Sequence, residues 1–161
     1  MNLSDDMKRV VREQRLGFVA TVTPDGHPNL SPKGTLIVID DGHLAFADIA
    51  SPGTIANLEV NDHVEVNVVD PIVRTGYRFK GVATIHDTGP MFERCLDVLR
   101  ALGSTMTADR IRNWVVIDVT YAAKVSSPAY DSGATEAEIS ARWLAHHNDL
   151  HRELRPRSFR Q

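Results

Sequence analysis

The chain has 161 residues and a mass of 17.8 kDa, with 42% hydrophobic and 24% charged side chains. This balance fits one compact domain with its own core and excludes global disorder or a coiled coil. A single cysteine, Cys95, excludes an intrachain disulfide framework, and the net charge of −3 argues against a broad nucleic-acid surface.

Ser4 ahead of Asp5 and Asp6 reads as a helix start, a hydroxyl cap with acids in the first turn. Met7, Val10, Val11 and Gln14 follow at helical spacing, and Gly17 stops the run. Phe18 to Thr23 is β-rich, Pro24-Asp25-Gly26-His27 is a turn, and Pro28 to Ser31 resumes an extended course. Gly34 to Ile39 is predicted as a strand, Asp40-Asp41-Gly42 as a hairpin turn and His43 to Ala47 as its return. Ser51-Pro52 opens a short helix to about Val60, with Ser51 as its cap. His63 to Val69 alternates as a strand, which Asp70-Pro71 breaks.

Residues 74–85 form a longer predicted strand. Thr75, Tyr77 and Phe79 face the core, while Arg74, Arg78 and Lys80 share the other face by the two-residue period. Gly89-Pro90 opens a helix with Phe92, Cys95, Leu96, Leu99 and Leu102 on one stripe, and Gly103 lies past its end. Asn113–Thr120 and Ala123–Ser126 are predicted as the last two strands. Thr135-x-x-Glu138 is a capping box for a C-terminal helix to about Leu154, followed by a basic tail, Arg155 to Gln161. Ile139, Trp143, His147, Leu150 and Leu154 give this helix one apolar stripe. It is expected to pack across a dimer or beside a ligand groove, anchored by Trp143, or else to cover its own subunit.

The strands come in consecutive runs with helices inserted between them, not in regular β-α-β alternation. A mainly β fold with helices, an antiparallel barrel or sandwich, is expected. The charge is segregated: residues 16–141 hold nine basic against sixteen acidic side chains. Four of those nine, Lys33, Arg74, Arg78 and Lys80, fall in two short structured segments. No apolar run approaches the ~20 residues that span a bilayer. The start MNLSDDMKRVV lacks an apolar leader core, so a cytoplasmic protein without membrane or nucleic-acid partners is expected.

A set of motifs occurs in order: Ser31-Pro32-Lys33-Gly34-Thr35, Phe46-Ala47-Asp48 leading into Ser51-Pro52-Gly53-Thr54 and Asn57-Leu58, Val66 to Pro71, and Gly76-Tyr77-Arg78-Phe79-Lys80-Gly81. Over about residues 8–126 this order resembles the pyridoxamine 5′-phosphate oxidase-like proteins, the FMN-binding split β-barrels. The resemblance implies a Greek-key antiparallel split barrel over residues 1–130, with the helix and tail of 131–161 as part of the same domain. It also implies a homodimer with two flavin sites at its interface, and an FMN-dependent oxidoreductase acting on a small molecule. An F420-binding reductase, or a non-catalytic flavin or haem carrier or sensor, is the alternative.

By the resemblance, the cofactor residues are Ser31, Pro32, Lys33, Gly34, Thr35, Asp48, Ser51, Thr54, Asn57, Arg74, Tyr77, Arg78 and Lys80. The chemistry agrees for several of them. A phosphate dianion needs cations, hydroxyls and the N–H groups of a helix start, which Lys33, Ser51 and Thr54 can supply. Lys33 is placed to face either the phosphate or the pyrimidine edge of the flavin ring, where a cation would stabilise the charge that develops on reduction. Relatives often carry Arg or Lys where this chain has Gly53, so the cation has to come from elsewhere. The substrate-phosphate residues of true pyridoxamine phosphate oxidases have no counterpart, so that activity is not expected. No residue is singled out as catalytic. His147 and His151 are spaced i, i+4 but have no third ligand, and no metal is expected. No G-x-S-x-G elbow is present. Cys95, on an apolar helix face, reads as a buried small hydrophobe.

Overall fold

A computed structural model describes residues 1–153. Helix α1 (Asp5–Gln14) is followed by strands β1 (Gly17–Val22), β2 (Pro28–Lys33), β3 (Ile37–Val38) and β4 (His43–Asp48). Helix α2 (Pro52–Val60) leads to β5 (His63–Asp70) and β6 (Thr75–His86). Helix α3 (Pro90–Ala101), β7 (Asn113–Ser126) and α4 (Glu136–Glu153) complete the described chain. The strands form one antiparallel sheet in the order β2-β1-β5-β6-β7-β4-β3. It curls into a split barrel with packed helices, as expected.

The curl makes two cores. On its inner side Val19, Phe46, Val66, Phe79 and Ile117 pack with Val10 and Val11 of α1. On the outer side of the β3-β4-β7 end, Ile37, Ala45, Trp114 and Val116 pack against Phe92, Cys95, Leu96 and Leu99 of α3. β4 and the start of β7 are therefore covered on both faces, which is why they read as unbroken apolar runs. The rest of the sheet has an open outer face, and β5 alternates accordingly.

Several boundaries differ from the sequence reading. The predicted strand Gly34–Ile39 shrinks to Ile37–Val38, because Gly34 and Thr35 turn the chain out of β2. Thr35 Oγ1 accepts the Ala47 N–H at 2.9 Å, replacing a ladder bond with a side-chain one. The two predicted last strands are one. Lys80 pairs with Tyr121 and Gly81 with Val119, so Thr120 is an extra residue that bends β7 without breaking it. Gly81 is required there: a Cβ would lie 2.4 Å from the Asp118 carbonyl oxygen.

Arg74 is not on the Arg78–Lys80 face. It closes the β5–β6 loop with φ of 58°, its N–H bonded to Asp70 O at 2.8 Å. Asp70 Oδ1 holds this loop by accepting from Ile72 N and Val73 N, so Arg74 precedes the strand rather than beginning it. Its guanidinium lies 4.0 Å from the centre of the Trp143 ring. The capping box forms as predicted, with Glu138 N donating to Thr135 Oγ1 and Thr135 N to Glu138 Oε2. Within the chain, α4 is held by its first half. Ile139 is buried and Trp143 half-buried, while Leu144 and Leu150 are exposed. Leu154 and the basic tail lie outside the described residues. None of the described helices is long and apolar enough to cross a membrane.

Candidate functional site

Lys33 ends β2 at the sheet edge, opposite Gly17 of β1. Because the chain turns away at Gly34, its side chain folds inward toward the start of α2 and is only 3% exposed. Nζ donates to Ser31 Oγ at 2.8 Å and Ser51 Oγ at 2.5 Å, and lies 3.5 Å from Thr54 Oγ1. It also sits 5.3 Å from the Phe46 ring centre. No carboxylate among the described residues lies within 4 Å of it. Burial accordingly pushes the ammonium below the usual lysine range, offset in part by the more distant Asp48 charge.

Ser51 stands at the cap position of α2 but makes no side-chain cap bond. Its hydroxyl is committed to Lys33, and its N–H goes to Asp48 Oδ1 at 2.9 Å. Asp48, also buried, accepts from Asn113 Nδ2 through its other oxygen. It thereby ties the ends of β4, α2 and β7 together without forming an ion pair with Lys33. A cavity of about 420 Å³ opens beside this cluster, lined by Pro32, Lys33, Gly34, Thr35, Ser51 and the apolar Ala47, Ile49, Ala50 and Met106. A buried ammonium, hydroxyls and a helix start form a donor set for an oxyanion.

The structure thus gathers Ser31, Pro32, Lys33, Gly34, Thr35, Ser51 and Thr54 in one place. Asp48 stands beside them, holding the Ser51 N–H, and the remaining candidates lie elsewhere. Asn57 is turned to β1, donating to Thr21 Oγ1 at 2.9 Å. Tyr77 donates to Asp6 Oδ2 of α1. Arg78 Nε stands 2.9 Å from Glu65 Oε1 and Lys80 Nζ 3.6 Å from Glu65 Oε2 on the outer face. The Arg78 contact is an ion pair without a well-aligned hydrogen bond, since its Nε has no hydrogen-bond partner. Ile49 and Met106 were not legible as site residues, because no periodicity or motif marks them. His147 and His151 have no third ligand beside them among the described residues.

A second hollow of about 460 Å³ lies on the outer face where the β6–β7 bulge opens the sheet, between Val22, Pro28, Lys80 and Tyr121. It is the larger of the two. The Lys33 cavity is the better site on chemical grounds, since it alone holds a buried charge with no opposite partner.

A sequence profile of the pyridoxamine 5′-phosphate oxidase family matches residues 3–159. No match was found among curated proteins. Among solved structures, HupZ of Group A Streptococcus superposes with a TM-score of 0.68 at 28% identity, covering 78% of this chain and 95% of that one. An FMN-binding protein from Syntrophomonas wolfei is similar at 16% identity and a TM-score of 0.60, covering 76% and 86%. An F420 reductase has 20% identity and a TM-score of 0.60, covering 75% and 98%. With a split barrel in place and a family profile matched over nearly its whole length, this chain belongs to the pyridoxamine 5′-phosphate oxidase family.

Proposed function

We propose that the protein is an FMN-binding flavoprotein, an oxidoreductase that passes hydride or electrons through the flavin to a small molecule. The observation that carries this reading is Lys33. An ammonium buried without a carboxylate costs free energy that a bound phosphate would offset. Lys33, Ser51 and the start of α2 would hold the phosphate, with Thr54 and Ser31 orienting the ammonium through their hydroxyls. The flavin, when bound, supplies the hydride and electron chemistry. Gly34, whose added Cβ would meet nothing within 4 Å, leaves room for the cofactor to approach the backbone.

A homodimer fits the outer face of the sheet. Phe18, Val22, Leu30 and Tyr121 stand exposed there on strands β1, β2 and β7, beside Arg78, Lys80 and their shared Glu65. A second copy on this face would bury a row of apolar side chains that water now covers. The test is titration of the apo protein with FMN, riboflavin, F420 and haem, followed by fluorescence and absorbance. Saturable binding with FMN far tighter than riboflavin supports the reading. Preference for F420 or haem, or equal affinity for FMN and riboflavin, overturns it.

A further inference from the structure

The cavity at Lys33 adjoins another. Gly34, Thr35 and Met106 line both, and beyond them a hollow of about 210 Å³ lies between the end of α1, the β2–β3 turn and the end of α3. Its walls include Leu36, Leu99 and Leu102, and Arg15 stands at its border. The backbone of Arg15 is fixed, with φ of 52° and its N–H bonded to Val11 O, while its side chain is exposed to solvent at the mouth of the hollow. No carboxylate among the described residues lies within 4 Å of its guanidinium. Neither cavity has an Asp or Glu in its lining, although residues 16–141 carry seven more acidic than basic side chains.

We infer that this 210 Å³ hollow is the substrate subsite, taking a small organic acid whose apolar body lies on Leu99, Leu102 and Met106 and whose carboxylate meets Arg15. The inference rests on the flavin reading for the redox chemistry, but not for the binding itself. The volume is below the ~300–1,000 Å³ typical of sites for drug-sized ligands, so the ligand is about one ring in size. A leucine wall excludes water from one side of the ion pair and strengthens it. An uncharged molecule of the same shape would lose the arginine contact, which gives the site its selectivity.

The probe is sodium benzoate, titrated into the apo protein by calorimetry and into FMN-treated protein by flavin difference absorbance. Saturable one-to-one binding is expected, with benzyl alcohol at least tenfold weaker. Arg15→Gly should weaken benzoate at least tenfold without loss of thermal stability, since glycine suits the left-handed φ. Arg15→Lys should restore part of the affinity. Gly34→Val should weaken benzoate, because Gly34 lines both hollows and a larger side chain there takes up their space. Benzoate binding that is absent, or equal in wild type and Arg15→Gly, overturns the inference. Arg15-dependent binding to the apo protein supports it even if FMN does not bind, and that outcome would sink the flavin reading alone.

Discussion

Lys33→Met separates a phosphate-binding lysine from a merely structural one. Methionine has nearly the same length and volume, so the core around Phe46 stays filled, and a volume-conserving change costs under about 1.5 kcal/mol. The substitution removes three hydroxyl contacts, each worth about 1 kcal/mol net. It also removes the desolvation cost of a charge that is only 3% exposed and has no carboxylate partner. These effects oppose each other, so the unfolding free energy in urea should move by no more than about 1.5 kcal/mol. Binding should respond differently. A charge-assisted bond to phosphate is worth about 1.5–3 kcal/mol, or roughly a ten- to hundredfold loss of FMN affinity. Riboflavin, which lacks the phosphate, should bind wild type and variant alike. If FMN and riboflavin weaken together, or if stability falls by about 3 kcal/mol while their affinity ratio holds, Lys33 is a structural residue and the assignment is wrong.

Four further outcomes follow from the same geometry. Gly53→Arg should tighten FMN binding about tenfold in the same titration, because a Cβ there meets nothing within 4 Å and the new cation would sit in the first turn of α2. Lys33 titrates below the ordinary lysine value of 10.5, because burial disfavours its charged form relative to the unfolded chain. Its contribution to stability is fullest above 10.5 and is lost as pH falls through the lowered folded-state value. Apo stability should therefore gain from this group, and FMN affinity decline, as pH rises across that window; Lys33→Met should abolish both trends. Cys95, fully buried with its thiol pushed up to about 11, should resist thiol reagents in the native protein; Cys95→Ala should lower stability by about 1 kcal/mol and leave FMN affinity unchanged. Deleting residues 135–161 should remove the Arg74–Trp143 stacking and lower stability; a truncated protein with the same melting temperature, oligomeric state and flavin affinity would show that α4 has no role at either the barrel or an interface.

Much of the fold was legible because local chemistry and tertiary structure agree. The Ser4 cap, the Asp40-Asp41-Gly42 turn and the Thr135–Glu138 box are each set by contacts within a few residues, and the α3 stripe shows in the sequence as helical spacing of the side chains it buries. The family was legible too, from the order of short motifs around Lys33, Ser51 and Tyr77. What the sequence could not show depends on contacts between distant segments. Arg74 and Arg78 share a parity, yet the Asp70-capped loop turns Arg74 toward Trp143, 69 positions later, while Arg78 meets Glu65 across the sheet. Period two describes a strand only where the strand exists. Lys33 was legible as a candidate cofactor cation but not as a buried one; the turn at Gly34 and the position of α2 bury it. Asn57 and Asp48 sit in the right motif but use their polar atoms to join elements, which only their partners at Thr21 and Asn113 reveal. Met106 and Arg15 carry no pattern at all. They border the same groove because α1, α3 and the β2–β3 turn converge there, and convergence is a property of the packed chain, not of any stretch of it.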